Sequence, residues 1–186
     1  MRVTRHAYAV AGWGVGELWE ADGRLVVAHD APRERRAPPA APANAPLTTP
    51  RGTPGVPTGT LAAAGARVGA DFVPELLRRI ECFFRGEAVS FADVPLDLEW
   101  CTPFQRDVAI ALQRVPWGEV VAYGELAAAA GYPRAQRAVG TFCAGNRYAL
   151  FLPCHRVVAA DGIGSYGPSG LATKRRLLRL EGHVAL

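Results

Sequence analysis

The sequence has no long apolar run, and this absence sets the first limit on what the chain can be. A helix that crosses a bilayer needs about 20 consecutive apolar residues, and no such run occurs among the 186 residues. Residues 1–10 also lack an extended apolar stretch behind their basic side chains, so we expect no signal peptide. We therefore predict a cytoplasmic globular protein that makes no contact with a membrane.

Cysteine is scarce, and the cysteines that are present are spaced too widely for a metal site. Cys82, Cys101, Cys143 and Cys154 form no Cys-x-x-Cys pair, which is the usual spacing in structural zinc sites. A chain of this length can bury a sizeable core without a disulfide framework. We therefore expect free thiols in a reducing compartment, with no bound metal and no cofactor.

Acidic side chains are sparse in the second half of the chain, which is therefore basic. Residues 1–100 contain 11 basic and 12 acidic side chains, whereas residues 101–186 contain 10 and 5. The net charge of +4 thus comes from the second half. A basic region attracts polyanions, and nucleic acid is the first candidate partner, although an ordinary solvated surface of mixed charge could have the same composition.

The first half predicts a small sheet followed by one helix. Two short apolar segments flank Asp22-Gly23, a turn pair typical of β-hairpins. Residues 37–60 are rich in Pro, Ala, Thr and Gly and have no hydrophobic periodicity, so we interpret them as an insert or long loop. Apolar residues at helical spacing predict a helix over 73–85. We place a first domain at 1–95, including the insert, and a second domain at 101–186.

Helical patterns dominate the second half. Thr102-Pro103-Phe104-Gln105 has the capping-box pattern, with proline at the first helical position. A short strand over 120–122 is followed by predicted helices over 123–130 and 134–144, with Gly131 between them. Two short helices joined by a tight turn form a helix-turn-helix, which occurs in DNA-binding proteins and also as a simple packing unit.

The second helix of this pair has few side chains that could read base edges. Ala135, Gln136, Arg137 and Ala138 begin a segment that continues mostly with small residues, whereas a sequence-specific reader needs several Arg, Asn or Gln side chains. Small residues allow a close approach to a shallow surface, which favours binding in the minor groove independently of sequence. Arg137 could fill the space left by a flipped base, or it could be an ordinary solvated arginine.

The most informative segment is Pro153-Cys154-His155-Arg156-Val157, which follows the apolar residues 149–152. Proline disfavours a helical conformation at the preceding residue, so we expect a buried, strand-like stretch that delivers Cys154 to a pocket. A free thiol has a pKa of about 8.5 and is mostly protonated at neutral pH, but a neighbouring base or cation activates it. The alternative for these residues alone is a buried structural cysteine beside a surface histidine.

Together, the motifs of residues 102–183 resemble the O6-alkylguanine-DNA alkyltransferases. The matching segments are TPFQRDV, PWGEVVAYGELA, RAVG, AGNRYALFLPCHRVV and LATKRRLLRLEGH. The resemblance implies an α+β fold. It consists of a small N-terminal ribonuclease-H-like sheet domain followed by a mostly helical, winged-helix-like domain that binds DNA and carries the catalytic residues.

The resemblance also implies a catalytic set of five residues. Cys154 would accept the alkyl group, and His155 would act as its base through a bridging water. Glu181 would orient His155, and Asn146 would hold the hydrogen-bond network. Tyr123 would contact a phosphate and the flipped base, and its phenol would donate a proton to the departing guanine.

The remaining site residues implied by the resemblance bind DNA or the guanine. Arg137 would be the finger that fills the vacated stack, with Ala135, Gln136 and Ala138 beside it on the DNA-facing helix. Val157, Tyr166, Gly167 and Lys174 would form or border the guanine pocket. The loop around Gly167 departs from the usual family pattern because a proline follows it.

The function implied is direct-reversal repair by one irreversible transfer per molecule. A methyl or larger alkyl group would move from O6 of guanine in double-stranded DNA to Cys154, and O4 of thymine is a second candidate donor. The protein would act as a monomer. Two alternatives stay open: a non-catalytic sensor of alkylated DNA, and a cysteine hydrolase that uses Cys154 and His155.

Overall fold

The computed structural model describes residues 1–33, 71–167 and 169–184, and the predicted insert at 37–60 lies outside them. The described part is α+β, with a three-stranded antiparallel sheet, five α-helices and a two-stranded parallel pair. In chain order the elements are β1 (Val3–Val10), β2 (Gly14–Ala21), β3 (Leu25–Arg33), α1 (Phe72–Phe84), α2 (Pro103–Gln113), β4 (Val121–Ala122), α3 (Tyr123–Ala129), α4 (Gln136–Ala144), β5 (Val157–Val158) and α5 (Gly170–Leu180).

The predicted hairpin is confirmed, and the sheet contains one more strand than the sequence indicated. β2 and β3 pair antiparallel, with Ala21 opposite Leu25. The Arg24 N–H bonds the Ala21 carbonyl at 3.1 Å across the turn residues Asp22 and Gly23, whose φ values of 53° and 66° are the left-handed conformation of a type I′ turn. The unpredicted strand β1 pairs with β2 along its whole length, which places β2 at the centre of the sheet.

The outer edge of β3 is covered by two segments from distant parts of the sequence. The first is the linker after α1, where the Val26 N–H donates to the Pro95 carbonyl and the Asp97 N–H donates back to Val26, both at 2.9 Å. The second is the segment around Tyr148, which forms a parallel bridge with His29. An exposed strand edge is thereby paired, and the sheet is tied to the second half of the chain.

The His29 side chain is buried at this edge and has a hydrogen-bond partner at each ring nitrogen. Nδ1 bonds the Ala149 carbonyl, and the Tyr8 hydroxyl lies 2.5 Å from Nε2. A carbonyl only accepts, so Nδ1 carries the proton and the Tyr8 hydroxyl donates to Nε2. Burial lowers the pKa of His29 to about 4, and the bond to Ala149 opposes that shift. The imidazole is therefore neutral at physiological pH.

We expect this buried histidine to make the fold sensitive to moderate acid. Because the pKa falls from 6.5 in the free side chain to about 4 in the fold, the unfolded chain takes up the proton first. The contribution is intact above pH 6.5, and up to about 3 kcal/mol is lost as the pH falls to about 4. Denaturant unfolding of the wild type and His29→Asn across this window measures the difference. Parallel curves for the two proteins would contradict the prediction.

The first helix of the second half begins where the capping pattern predicted. The Thr102 hydroxyl accepts a hydrogen bond from the Gln105 N–H at 3.3 Å, and the Gln105 side chain accepts one from the Thr102 N–H at 3.0 Å. Pro103 occupies the first turn of α2. The buried face of α2 consists of Val108, Ala109 and Leu112, so its apolar stripe anchors the helix-turn-helix to the core.

The helix-turn-helix is present as α3 and α4, with one boundary shifted. α3 ends at Ala129, and Gly131 follows with φ of 88°. α4 begins at Gln136 rather than at Arg134, because Arg134 has φ of 75° and cannot continue a right-handed helix. The two helices are packed against each other.

Buried residues from both predicted domains form one hydrophobic cluster. Its members include Leu18 and Val26 of the sheet, Phe83 of α1, Leu112 of α2 and Leu177 of α5. The division into 1–95 and 101–186 stays a prediction. Within the described ranges, no helix is long and apolar enough to cross a membrane.

Candidate active site

Cys154 lies on a tight helical turn, and hydrogen-bonded turns precede it. The prediction of a strand-like stretch before Cys154 is therefore wrong. Cys154–Arg156 form one turn of 3-10 helix, and Pro153 has φ of −76° and ψ of 62°. The Cys154 N–H bonds the Leu152 carbonyl at 2.7 Å, and the Leu152 N–H bonds Tyr148 at 2.8 Å. These are the bonds of an inverse γ-turn and an α-turn. Local hydrogen bonds therefore fold residues 148–154 into turns, although the bias of a residue that precedes proline predicts an extended conformation.

The Cys154 thiol is 7% exposed and is held by Asn146. Asn146 Nδ2 donates to Sγ at 3.1 Å and to the Leu152 carbonyl at 2.8 Å. Asn146 Oδ1 accepts from the Tyr148 N–H at 2.9 Å, which fixes the amide orientation. Burial raises the pKa of Cys154, while Asn146 and the Lys174 charge oppose the rise. The resting thiol is therefore protonated and needs a base before it can act as a nucleophile.

His155 is part of a fully buried charged network. Its side chain is 0% exposed, and Nε2 lies 2.8 Å from Glu181 Oε1. Burial raises the pKa of Glu181, but its bonds to His155 and Arg156 outweigh this effect and lower it to about 2. The carboxylate is thus an acceptor only, and Nε2 must carry the proton.

The other ring nitrogen of His155 is the available base. Nδ1 is buried without a protein hydrogen-bond partner in the described part of the chain. Burial lowers the pKa of His155, and Glu181 opposes the shift, so the imidazole is neutral with a lone pair on Nδ1.

Arg156 belongs to the site, and its role differs from that suggested by its place in the motif. The motif indicated a cation beside the thiol. Instead, Nε and Nη2 of Arg156 bond the Glu181 carboxylate at 3.0 to 3.2 Å, and Nη1 bonds the Val115 carbonyl at 2.6 Å. This bidentate ion pair gives the Glu181 carboxylate a positively charged partner. Adjacency in sequence could not reveal it, because Glu181 approaches from the end of α5.

Lys174 is the cation that influences the thiol. Its ammonium is completely buried and donates to the Val157 carbonyl at 2.5 Å and the Ser165 carbonyl at 3.2 Å. Burial lowers the pKa of Lys174, while Cys154 and Cys143 raise it. Lys174 thus fixes two main-chain segments beside the site and also favours a thiolate at Cys154.

A small cavity of about 10 Å³ opens beside Cys154, a volume that holds about one water. Of the predicted pocket residues, Tyr166 and Gly167 line it, whereas Val157 and Lys174 do not. The Tyr166 hydroxyl bonds the Cys154 thiol. The full lining consists of Tyr123, Gly140, Cys143, Ala144, Cys154, Ser165, Tyr166 and Gly167.

Sequence reasoning missed one wall of this cavity. Gly140, Cys143 and Ala144 line it from α4, and their spacing of three and four residues places them on one face of the helix. That spacing was the available signal. Some of the small residues of α4 therefore face the Cys154 thiol. The small residues of this helix are not all exposed at the surface.

Tyr123 belongs to the helix-turn-helix and also lines the small cavity. It begins α3, and its ring packs between Gly140 and Gly164, where an added Cβ would come within 3.9 and 3.2 Å of the ring. Its hydroxyl bonds Ser165, and burial raises its pKa, so the phenol stays protonated. The structure thereby brings Tyr123 to the same cavity as Cys154.

The predicted DNA-facing residues lie at the start of α4. Gln136, Arg137 and Ala138 are exposed, and Ala135 just before the helix is half-buried. Their side chains line no part of the cavity. Across the described ranges, no three His, Cys, Asp or Glu side chains are grouped closely enough to hold a metal ion.

A larger cavity of about 320 Å³ lies apart from the thiol. Pro153 and Arg156 contribute to its wall, together with the 88–92 and 113–117 segments, but Cys154 does not. Size alone would favour this cavity as the functional one. The Cys154 thiol lines the smaller cavity, and burial raises the pKa values of its lining residues Cys143, Cys154 and Tyr166, so we take it as the candidate active site.

Known proteins share both the sequence and the fold of this chain. The family described as 6-O-methylguanine DNA methyltransferase, DNA binding domain, matches residues 103–183. A methylated-DNA–protein-cysteine methyltransferase of Methanosarcina acetivorans is 46% identical over 112 residues, which are 60% of this chain and 70% of that protein. A second such methyltransferase, from Methanopyrus kandleri, is 42% identical over 125 residues, which are 67% of this chain and 88% of that protein.

The solved structures extend the likeness over almost the whole chain. The crystal structure of Mycobacterium tuberculosis OGT in complex with DNA is 30% identical, with a TM-score of 0.67, and the match covers 95% of this chain and 91% of that one. Sequence and structure thus agree beyond the second half. The chain belongs to the methylated-DNA–protein-cysteine methyltransferase family.

Proposed function

We propose that Cys154 is the cysteine that receives the alkyl group in this chain, and that the donor is O6 of an alkylated guanine in DNA. The observation that carries the proposal is the arrangement around the thiol. Asn146 bonds Sγ, and the buried His155–Glu181–Arg156 network lies behind it, with the imidazole held in the tautomer that leaves Nδ1 unprotonated. Such a site generates a thiolate without exposing it to solvent.

The reaction is an in-line displacement at the alkyl carbon. The thiol proton passes through a water to Nδ1 of His155, and the sulfur then forms a bond to carbon while the carbon–O6 bond breaks. Negative charge develops on the departing guanine, which takes a proton from the Tyr123 phenol. The proton held by His155 then returns to the Tyr123 oxygen, so the net exchange replaces the thiol proton by the alkyl group and leaves an unmodified, neutral guanine in the DNA strand.

The transfer occurs once per molecule. Its product is a thioether, and the other thiol that lines the small cavity, Cys143, has its pKa raised to about 12 by burial and stays protonated, so it does not remove the alkyl group. The cavity of about 10 Å³ is also too small for a guanine, so Tyr166 must leave the thiol when a flipped base enters. Base entry and alkyl transfer are therefore coupled steps.

The DNA is bound as a duplex through its minor groove, independently of sequence, by a monomer in the cytoplasm. The exposed start of α4 supports this, since it offers one arginine among small residues and few groups for reading base edges. The M. tuberculosis relative crystallised with DNA supports the partner. The ribonuclease-H-like and winged-helix assignments of the two halves are consistent with the observed sheet and helix-turn-helix.

The mass of the intact protein after mixing with a duplex that carries one O6-methylguanine tests the proposal. We expect one added methyl group, mapped to Cys154, with the stoichiometry stopping at one. An unchanged mass with tight binding to the lesion would instead indicate a sensor. Repeated turnover on an ester or peptide without DNA would indicate a hydrolase.

Arg137→Ala should slow repair in duplex DNA more than reaction with free O6-alkylguanine. The exposed guanidinium would fill the stack behind a flipped base, and flipping costs a few kcal/mol. We expect the duplex rate to fall about tenfold while the free-base rate stays within about twofold of wild type. The measurement is the second-order rate constant for both substrates.

The matched control is Arg24→Ala, which removes an exposed arginine from the β2–β3 turn. It lowers the net charge by the same amount, so it reports any general electrostatic effect on DNA binding. Equal slowing of duplex and free base by Arg137→Ala would exclude the finger role, and so would an equal effect of the two substitutions.

A further inference from the structure

The site depends on one segment of main chain whose conformation is unfavourable by itself. Residues 146–154 carry both Asn146 and Cys154, and within them Leu150 has φ of 71°. A bulky residue in this left-handed region is strained and keeps the conformation only where the surrounding structure imposes it. The contacts that impose this conformation come from the sheet.

Three of the hydrogen bonds made by this segment go to a single residue of the sheet, His29. The His29 N–H donates to the Arg147 carbonyl at 2.8 Å, and the Ala149 N–H donates to the His29 carbonyl at 3.2 Å. The His29 side chain adds the third bond, from Nδ1–H to the Ala149 carbonyl. These bonds fix the chain immediately before the strained residue.

The His29 ring is itself held rigidly. The Tyr8 hydroxyl bonds Nε2 at 2.5 Å, and the Tyr8 ring is nearly parallel to the imidazole, with an interplanar angle of 6°. The Phe151 ring packs on it at a centroid distance of 4.7 Å. The side chain is 1% exposed, so it has no water with which to exchange these partners.

We propose that His29 is a positioning residue for alkyl transfer, holding the 147–149 main chain so that Asn146 keeps its hydrogen bond to the Cys154 thiol. His29 and Asn146 are linked through Tyr148, whose N–H donates to Asn146 Oδ1 at 2.9 Å. Tyr148 lies between Arg147 and Ala149, the two residues that His29 bonds. When Ala149 loses its partner, Tyr148 shifts and the amide of Asn146 turns away from Sγ. The inference rests on the proposed role of Cys154 and adds the N-terminal sheet to the machinery.

Two polar substitutions separate the two ends of the imidazole. In His29→Asn the amide nitrogen takes the place of Nδ1 and keeps the bond to Ala149. In His29→Gln the longer side chain reaches the position of Nε2 and the donor to Ala149 is lost. We expect His29→Asn to react with the O6-methylguanine duplex within about threefold of wild type and His29→Gln to react about 10- to 100-fold more slowly. Equal rates for the two variants, or the reverse order, would overturn the proposal.

A double-substitution test distinguishes positioning from general loss of stability. If His29 acts through Asn146, then His29→Gln combined with Asn146→Ala should be no slower than Asn146→Ala alone. Leu76→Ala is the control, since it empties a buried site in α1, outside the sheet that holds His29. It should lower the melting temperature at least as much as His29→Gln and leave the rate unchanged. Effects of His29 and Asn146 that multiply, or slowing by Leu76→Ala, would contradict positioning.

The thiol itself provides the last readout. Loss of the Asn146 bond should move the pH profile of Cys154 alkylation by iodoacetamide to higher pH in His29→Gln but not in His29→Asn. An unmoved profile in both variants would overturn the inference. Failure of the wild type to accept a methyl group is a separate outcome that would refute the role of Cys154 itself.

Discussion

Cys154→Ala should abolish alkyl transfer completely while the affinity for DNA stays within about twofold of wild type. The thiol is the only part of the site that forms a bond to the alkyl carbon, so no other side chain can rescue the reaction. DNA binding should persist because the exposed start of α4 is separate from the small cavity. Intact-protein mass and a gel-shift titration with the methylated duplex measure the two properties.

Cys143 provides the matched control, because its thiol lines the same cavity. Burial raises the pKa of Cys143 to about 12, and the neighbouring Cys154 adds to the rise. It bonds no activating amide or imidazole and should stay a neutral thiol. Cys143→Ala should therefore still accept one methyl group. A methyl group found on Cys143 in the Cys154→Ala protein would show that the pocket activates either thiol.

Local signals in the sequence predicted the elements whose geometry is determined within a few residues. Asp22-Gly23 fixed a tight turn because these two residues tolerate the left-handed conformation. Thr102 and Gln105 predicted the start of α2 because each satisfies the other's backbone N–H group. Neither feature depends on anything distant in the chain.

Long-range pairing explains what the sequence could not provide. Nothing near His29 indicates that its main chain bonds residues 147 and 149, more than a hundred positions away. The turn at Cys154 has both kinds of cause, because local hydrogen bonds fold residues 148–154 and contacts from the sheet hold the strained Leu150. The extended bias of a residue before proline is weaker than these contacts together.

The candidate site shows the same division. Cys154, His155, Asn146 and Glu181 could be named from their resemblance to a known family, and the structure brings them together. The second partner of Glu181, Arg156, could not be named, because this pairing requires the end of α5 to lie behind the motif. The larger cavity shows the opposite problem, since volume alone would favour a site that the Cys154 thiol does not line.

Glu181→Gln should both slow alkyl transfer and destabilise the fold. The substitution leaves Arg156 buried beside a neutral amide, and an uncompensated buried charge costs about 3 to 5 kcal/mol. The amide can either accept from a protonated Nε2 of His155 or donate to an unprotonated Nε2, so the tautomer is no longer fixed. We expect the rate to fall at least about tenfold and the free energy of unfolding to fall by about 3 kcal/mol. Single-turnover kinetics and urea unfolding measure the two effects.

The pH dependence of stability provides an internal check on this interpretation. The pKa of Glu181 is lowered from 4.5 to about 2 in the fold, so the unfolded chain binds the proton first. The carboxylate stabilises the fold above pH 4.5, and this contribution is lost as the pH falls through about 2. The loss should be absent from Glu181→Gln and retained in Glu87→Gln, which removes an exposed ion pair with Arg85. A wild-type profile in Glu181→Gln would mean that the buried network carries no charge. His155 would then lack the fixed acceptor that leaves Nδ1 free to take the thiol proton.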